Sequence, residues 1–192
     1  MSTRDRMLDA AAHVLRTKGL SRATTKEIAK AAGFSEAALY KHFADKTELF
    51  LAVLRERAPS DFPARLAALE PGVGDVRETL ADIAAAAMAF YRDTFPIAAS
   101  LFAEPALLAA HREALNARDT GPQTVPQTLA RYLEAERALG RLPAAVDPRS
   151  AAELLLGACH YHAFLGFFTD WPTEPRALVA TLWAGLDRPF PT

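Results

Sequence analysis

Residues 24–50 read Thr-Thr-Lys-Glu-Ile-Ala-Lys-Ala-Ala-Gly-Phe-Ser-Glu-Ala-Ala-Leu-Tyr-Lys-His-Phe-Ala-Asp-Lys-Thr-Glu-Leu-Phe. Their spacing predicts two short helices joined by a tight turn at Gly33, where a residue without Cβ takes positive φ at no steric cost. Thr24 or Thr25 caps the first helix, with Ile28, Ala29 and Ala32 inside and Glu27 and Lys30 outside. Phe34 packs inward and Ser35 caps the second helix, which Leu39 and Phe43 anchor. That second helix exposes Tyr40, Lys41 and His42 in a row. Asp45 caps a further helix, with Glu48 three residues later as in a capping box. Two helices about one glycine turn, the second short and basic, are the layout that lays a helix in a DNA groove.

Working outward, residues 3–17 carry an apolar stripe (Met7, Leu8, Ala11, Ala12, Val14, Leu15) with Gly19 just past its end. The helix opened by Asp45 is expected to reach about Arg57. Pro59, Pro63, Pro71, Gly72 and Gly74 then form a punctuated region. Beyond it, helical spacing is expected over 75–94, ended by Pro96, then over 97–102, 105–118 and 125–139. Asp147-Pro148 starts a helix to about Phe168. Trp171, Pro172 and Pro175 separate it from a last helix over 174–186. No segment sustains strand alternation. The expected fold is all-α: an N-terminal three-helix helix-turn-helix domain and a helical body, about nine helices in total. The boundary is placed near residues 45–60, giving domains 1–46 and 47–192.

Charge follows the same division. Residues 1–57 hold eleven Lys and Arg against seven Asp and Glu, a net of +4, and the remainder nets −5. All five lysines lie in the head, which favours a polyanion partner for that part alone. Cys159 is the sole cysteine, so an intramolecular disulfide is excluded, and its apolar neighbours suit a buried thiol. No apolar signal core and no uncharged span of eighteen apolar residues occurs, so a cytoplasmic protein without membrane contact is expected. Neither a Ser/His/Asp arrangement, a glycine-rich phosphate loop nor a metal-ligand spacing is present. His160 and His162 point about 200° apart around a helix axis and suit no shared metal. No enzyme, metal or cofactor is expected.

Residues 4–54 resemble the N-terminal domain of the TetR/AcrR family of transcriptional regulators. The resemblance rests on Ala-Ala-x-x-Leu before Gly19, Ala23-Thr24-Thr25, Ile28-Ala29, Ala32-Gly33-Phe34-Ser35, Leu39-Tyr40-x-x-Phe43 and Lys46-x-x-Leu49. It implies phosphate contacts by Thr25, Lys26 and Lys46. It also implies a recognition helix presenting Ser35, Glu36, Ala37, Ala38, Tyr40, Lys41 and His42 to double-stranded operator DNA. Ala37 and Ala38 offer only apolar contacts, such as to a thymine methyl. Glu36 either accepts from cytosine or faces solvent. Lys41 contacts guanine or a phosphate, Tyr40 a phosphate, and His42 a phosphate or solvent alone.

The resemblance further implies a homodimer through the last two long helices, with Leu155, Cys159, His162, Phe167, Leu178, Leu182 and Trp183 as candidates; packing within one chain is the alternative. It implies a small hydrophobic or aromatic effector in the body, lined by Phe90, Phe95, Phe102, Leu107, His111, Tyr132, Tyr161 and Phe164. The function expected is a repressor released from its operator by that effector. A constitutive regulator without a ligand is the alternative.

Overall fold

The computed structural model describes residues 1–19, 22–57, 61–170, 172 and 174–186. Pro59 and Trp171 lie outside them. Ten helices and no strands are found among these residues: α1 (Thr3–Lys18), α2 (Thr25–Ala32), α3 (Glu36–Leu39), α4 (Lys46–Glu56), α5 (Phe62–Ala67), α6 (Val76–Phe102), α7 (Pro105–Asn116), α8 (Thr124–Ala138), α9 (Pro148–Leu165) and α10 (Pro175–Leu186).

Local chemistry starts and stops the head helices. Ser2 and Asp5 form a reciprocal capping box at α1, and Thr24 and Glu27 form one at α2. Asp45 caps α4 by accepting the Glu48 N–H at 2.7 Å. The Glu48 carboxylate reaches back to the N–H of Ala44 rather than of Asp45, so the expected box is displaced by one residue. Gly33 ends α2 at φ 78°, with its N–H donating to Lys30 and that of Phe34 to Ala29.

Two compact units result. The first comprises residues 1–59 with 94–119, the second 60–93 with 120–192. This differs from the expected division at 46/47, and packing gives the reason. Leu49, Phe50 and Val53 of α4 are buried in the same cluster as Met7, Leu8, Ile28, Leu39 and Phe43. Leu101 and Leu107 join that cluster, and α7 packs on α4. The head's core therefore takes in residues that follow it by some fifty positions. In the second unit, α5, α6, α8, α9 and α10 share a core around Phe62, Leu80, Leu129, Leu133, Leu155, Cys159 and Val179.

Two expectations fail. α6 runs unbroken through Pro96, where the spacing predicts a stop. Proline removes one backbone donor, and packing of the flanking turns offsets that loss: Phe95 and Ile97 are half-buried and Leu101 is buried. The punctuated region contains α5, which Phe62 and Leu66 hold through complete burial.

A buried carboxylate orders the loop after α5. Glu136 is fully enclosed; its Oε1 accepts the Gly72 N–H at 3.1 Å and its Oε2 lies 3.2 Å from Arg141 Nε. Arg141 also donates to the Gly74 carbonyl.

Candidate nucleic-acid interface

Leu39 and Phe43, both buried, anchor α3 and the turn after it in the head's core, where α3 packs on α2. The Ser35 hydroxyl caps α3 by accepting the Ala38 N–H at 3.2 Å. α3 closes at Leu39. The chain continues through Tyr40, Lys41 and His42 as a tighter turn, with His42 N–H donating to Leu39 and Lys41 N–H to Ala38. The recognition element is thus one α-turn followed by a 3₁₀-like turn.

Of the ten residues expected to meet DNA, Lys26, Ser35, Ala37, Tyr40, Lys41, His42 and Lys46 are exposed. Glu36 and Ala38 are half-buried, and Ala38 packs on the head's core. Lys46 opens α4 with its ammonium 5.1 Å from the Phe50 ring centroid, leaving its stem on apolar surface and its charge in water. Thr25 departs from expectation: it is only 8% exposed, and its hydroxyl donates to Glu36 Oε1 at 2.5 Å and accepts from the Tyr40 hydroxyl at 3.3 Å. Sequence reasoning placed these three residues on one surface without joining them, because the contact spans two helices.

Three further cations brace the element from behind. Arg6 donates to the Ala32 carbonyl at 3.1 Å and lies over the Phe34 ring at 4.7 Å, gripping the end of α2. Arg4 clasps Glu56 with two hydrogen bonds of 2.6 and 2.9 Å. Arg57 bridges Asp5 and Asp9. These pairs tie α1 to the far end of α4. Hydrogen bonds from Arg4 hold the Glu56 carboxyl at about 2, and those from Ser2 and Arg57 hold that of Asp5 at about 2.

The chain matches the profile of the bacterial regulatory proteins of the tetR family over residues 7–53, and that of the AefR-like transcriptional repressor C-terminal domain over residues 78–178. The chain belongs to the TetR family. An uncharacterized HTH-type transcriptional regulator of Bacillus subtilis (strain 168), YvkB, is 33% identical over 132 residues, covering 69% of this chain and 66% of its own. Matches to other curated relatives span about a quarter of their length. A TetR-family regulator from Mesorhizobium loti shares the fold at TM-score 0.70 and 20% identity, covering 96% of this chain and 93% of that one. NalD, the secondary repressor of the MexAB-OprM multidrug efflux pump in Pseudomonas aeruginosa, superposes at TM-score 0.63 and 25% identity over 98% of both chains. The head is therefore the DNA-binding domain of a TetR-family transcriptional regulator.

The remaining candidates divide. Phe95, Phe102, Leu107 and His111 fall in the first unit, and Phe90, Tyr132, Tyr161 and Phe164 in the second. Leu107 is core and Phe102 is 72% exposed. Burial lowers the pKa of half-buried His111. Phe90 stacks at 5.3 Å on Phe62 and at 5.4 Å on Tyr91. Tyr132 is buried, and its hydroxyl is pushed up to about 12, chiefly by burial. Tyr161 and Phe164 lie on the outer face of α9.

Among the dimer candidates, Leu155 and Cys159 close the second unit's own core, which removes them from any surface. Burial pushes the Cys159 thiol up to about 12, which makes it inert. His162 is half-buried, and Leu178, Leu182 and Trp183 flank the core, with Arg77 stacked 4.6 Å over Trp183. Phe167 is exposed. Among the described residues no helix is long and apolar enough to cross a membrane.

Proposed function

We propose that the chain is a homodimeric repressor that leaves its operator when a small hydrophobic or aromatic molecule binds the body. The outer face of α9 carries this reading. Leu154, Gly157, Tyr161 and Phe164 recur at three- and four-residue intervals, Phe168 in the turn after α9 packs on Phe164 at 5.0 Å, and Leu154, Tyr161 and Phe168 are 63%, 58% and 71% exposed. That spacing makes one apolar stripe, and water is a poor neighbour for it. A second copy related by a two-fold axis would cover it with the same stripe. The interface so proposed replaces Leu155 and Cys159 by their outward neighbours Leu154 and Tyr161. Ala177, Ala180, Ala184 and Gly185 line the exposed side of α10 and would let a partner helix approach closely.

Two heads on that axis would read half-sites in successive turns of the major groove. The body's aromatic cluster supports the effector class. Phe62, Phe90 and Tyr91 meet within van der Waals range, and burial pushes the Tyr91 phenol up to about 12, so the cluster stays neutral. Such surroundings favour an uncharged ligand. The likeness of residues 78–178 to the C-terminal domain of AefR-like transcriptional repressors supports repression as the sign of control.

The test is sedimentation of the whole chain with a duplex selected from a random pool, before and after a panel of uncharged aromatic compounds. Two protomers per duplex, with release by at least one compound, is the result expected. One protomer per duplex would contradict the dimer. A panel without effect on complexes of either wild type or Phe90→Ala would contradict the effector.

A further inference from the structure

The Tyr40–Thr25–Glu36 contact has a fixed proton order. A carboxylate only accepts, so the Thr25 hydroxyl must donate its single proton to Glu36 Oε1, 2.5 Å away. Thr25 then has lone pairs alone to offer, and the Tyr40 hydroxyl donates to it at 3.3 Å. Thr25 is 8% exposed beneath these two side chains. A phosphate seeking its proton would have to displace a charge-assisted hydrogen bond, the stronger kind. The weaker 3.3 Å link leaves Tyr40 freer to turn its own proton outward.

We infer that Thr25 is a positioning residue and that Glu36 is the specificity determinant it positions. The clamp uses one carboxylate oxygen and leaves Oε2 without a partner among the described residues, on the turn that also carries exposed Ala37. A carboxylate fixed on the recognition turn accepts the exocyclic amine of cytosine in the major groove. Where it faces the N7 and O6 acceptors of guanine, the O4 acceptor of thymine or a phosphate, it is a desolvated like charge and costs affinity. Clamping removes the rotamer freedom that would let Glu36 swing away from a wrong pair. The residue thus suppresses binding to random DNA as well as favouring its own site. This inference rests on α3 entering the groove.

The experiment uses the full chain, the duplex it selects from a random pool, and a scrambled duplex of equal length at one salt concentration. Glu36→Gln keeps an acceptor for Thr25 and loses the charge. It is expected to tighten binding to the scrambled duplex, weaken binding to the selected one, and cut their affinity ratio by about tenfold or more. Thr25→Val is expected to cut the ratio likewise, Thr25→Ser to restore it, and Thr25→Val in the Glu36→Gln background to cut it no further. Reselection with Glu36→Gln is expected to lose a cytosine preference at one position in each half-site. Thermal melting of each variant confirms that the head is folded.

Three results would overturn the inference. One is a ratio unchanged by Glu36→Gln. Another is a Thr25→Val protein that weakens on both duplexes by the same factor, which is the behaviour of a phosphate ligand. The third is a wild-type chain that selects no sequence at all; it would overturn the groove placement too, and so is distinguishable from the first two.

Discussion

Lys46 opens α4 and Arg141 lies in the loop after α8, and the two basic residues act through different physics. Lys46 is exposed, and its ammonium has no carboxylate partner within salt-bridge range among the described residues, so its charge is available to a phosphate. Lys46→Ala should weaken binding to every duplex and lower the slope of log affinity against log salt by about 1. Titrations at several salt concentrations read this directly, and an unchanged slope would remove Lys46 from the interface. Arg141 instead answers a carboxylate with no exposure, Glu136. Arg141→Ala takes the guanidinium away from that buried charge, and should destabilise the second unit by about 3 kcal/mol. Chemical denaturation followed in the second unit measures it, and a loss below about 1 kcal/mol would mean that water replaces the guanidinium. The sequence shows Glu136 as an ordinary helix-surface acid. Its burial depends on a loop sixty-four positions earlier, which no local pattern encodes.

At the scale of elements, the turn between α2 and α3 is the sharpest local requirement. Gly33 sits at φ 78°, and a Cβ there would also approach Arg6 Nη2 to 3.3 Å. Gly33→Ala should therefore cost the head about 1 kcal/mol or more, read as a lower melting temperature. The α1–α4 ion pairs make the head sensitive to acid. Glu56 and Asp5 are depressed to about 2 from 4.5 and 3.8. A carboxyl depressed by folding stabilises fully above its unfolded value and loses that contribution as pH falls through its folded one. Stability should thus decline between about pH 4.5 and pH 2, and Arg4→Met should flatten the decline, as denaturation at a series of pH values would show. Capping residues, Gly33 and the apolar stripes made α1 to α4 legible in the sequence, because those signals act within four residues. The run of α6 through Pro96 was not legible, since distant packing outweighed a local breaker. Neither was the outward stripe of α9. That helix is apolar nearly all round, so its pattern has no phase, and one position of error turns the choice by 100° from Leu154 to Leu155.

For the whole molecule, the two units have separate cores, and the α9 stripe is the feature on which the proposed dimer rests. Leu154→Glu with Tyr161→Glu should give a folded monomer by sedimentation, with affinity for the selected duplex reduced by about a hundredfold or more, because each head then binds alone. A variant that stays dimeric would move the interface elsewhere. The family and the head were legible from residues 4–54; the return of Leu101 and Leu107 to the head's core, some fifty positions further on, was not. The most direct test of the account is the affinity of the whole chain for a duplex selected from a random pool against a scrambled duplex of equal length, at physiological salt. The account predicts an inverted repeat bound about 1,000-fold or more tightly than the scrambled duplex, with the preference falling sharply in Tyr40→Ala. Equal affinity for the two duplexes would contradict it.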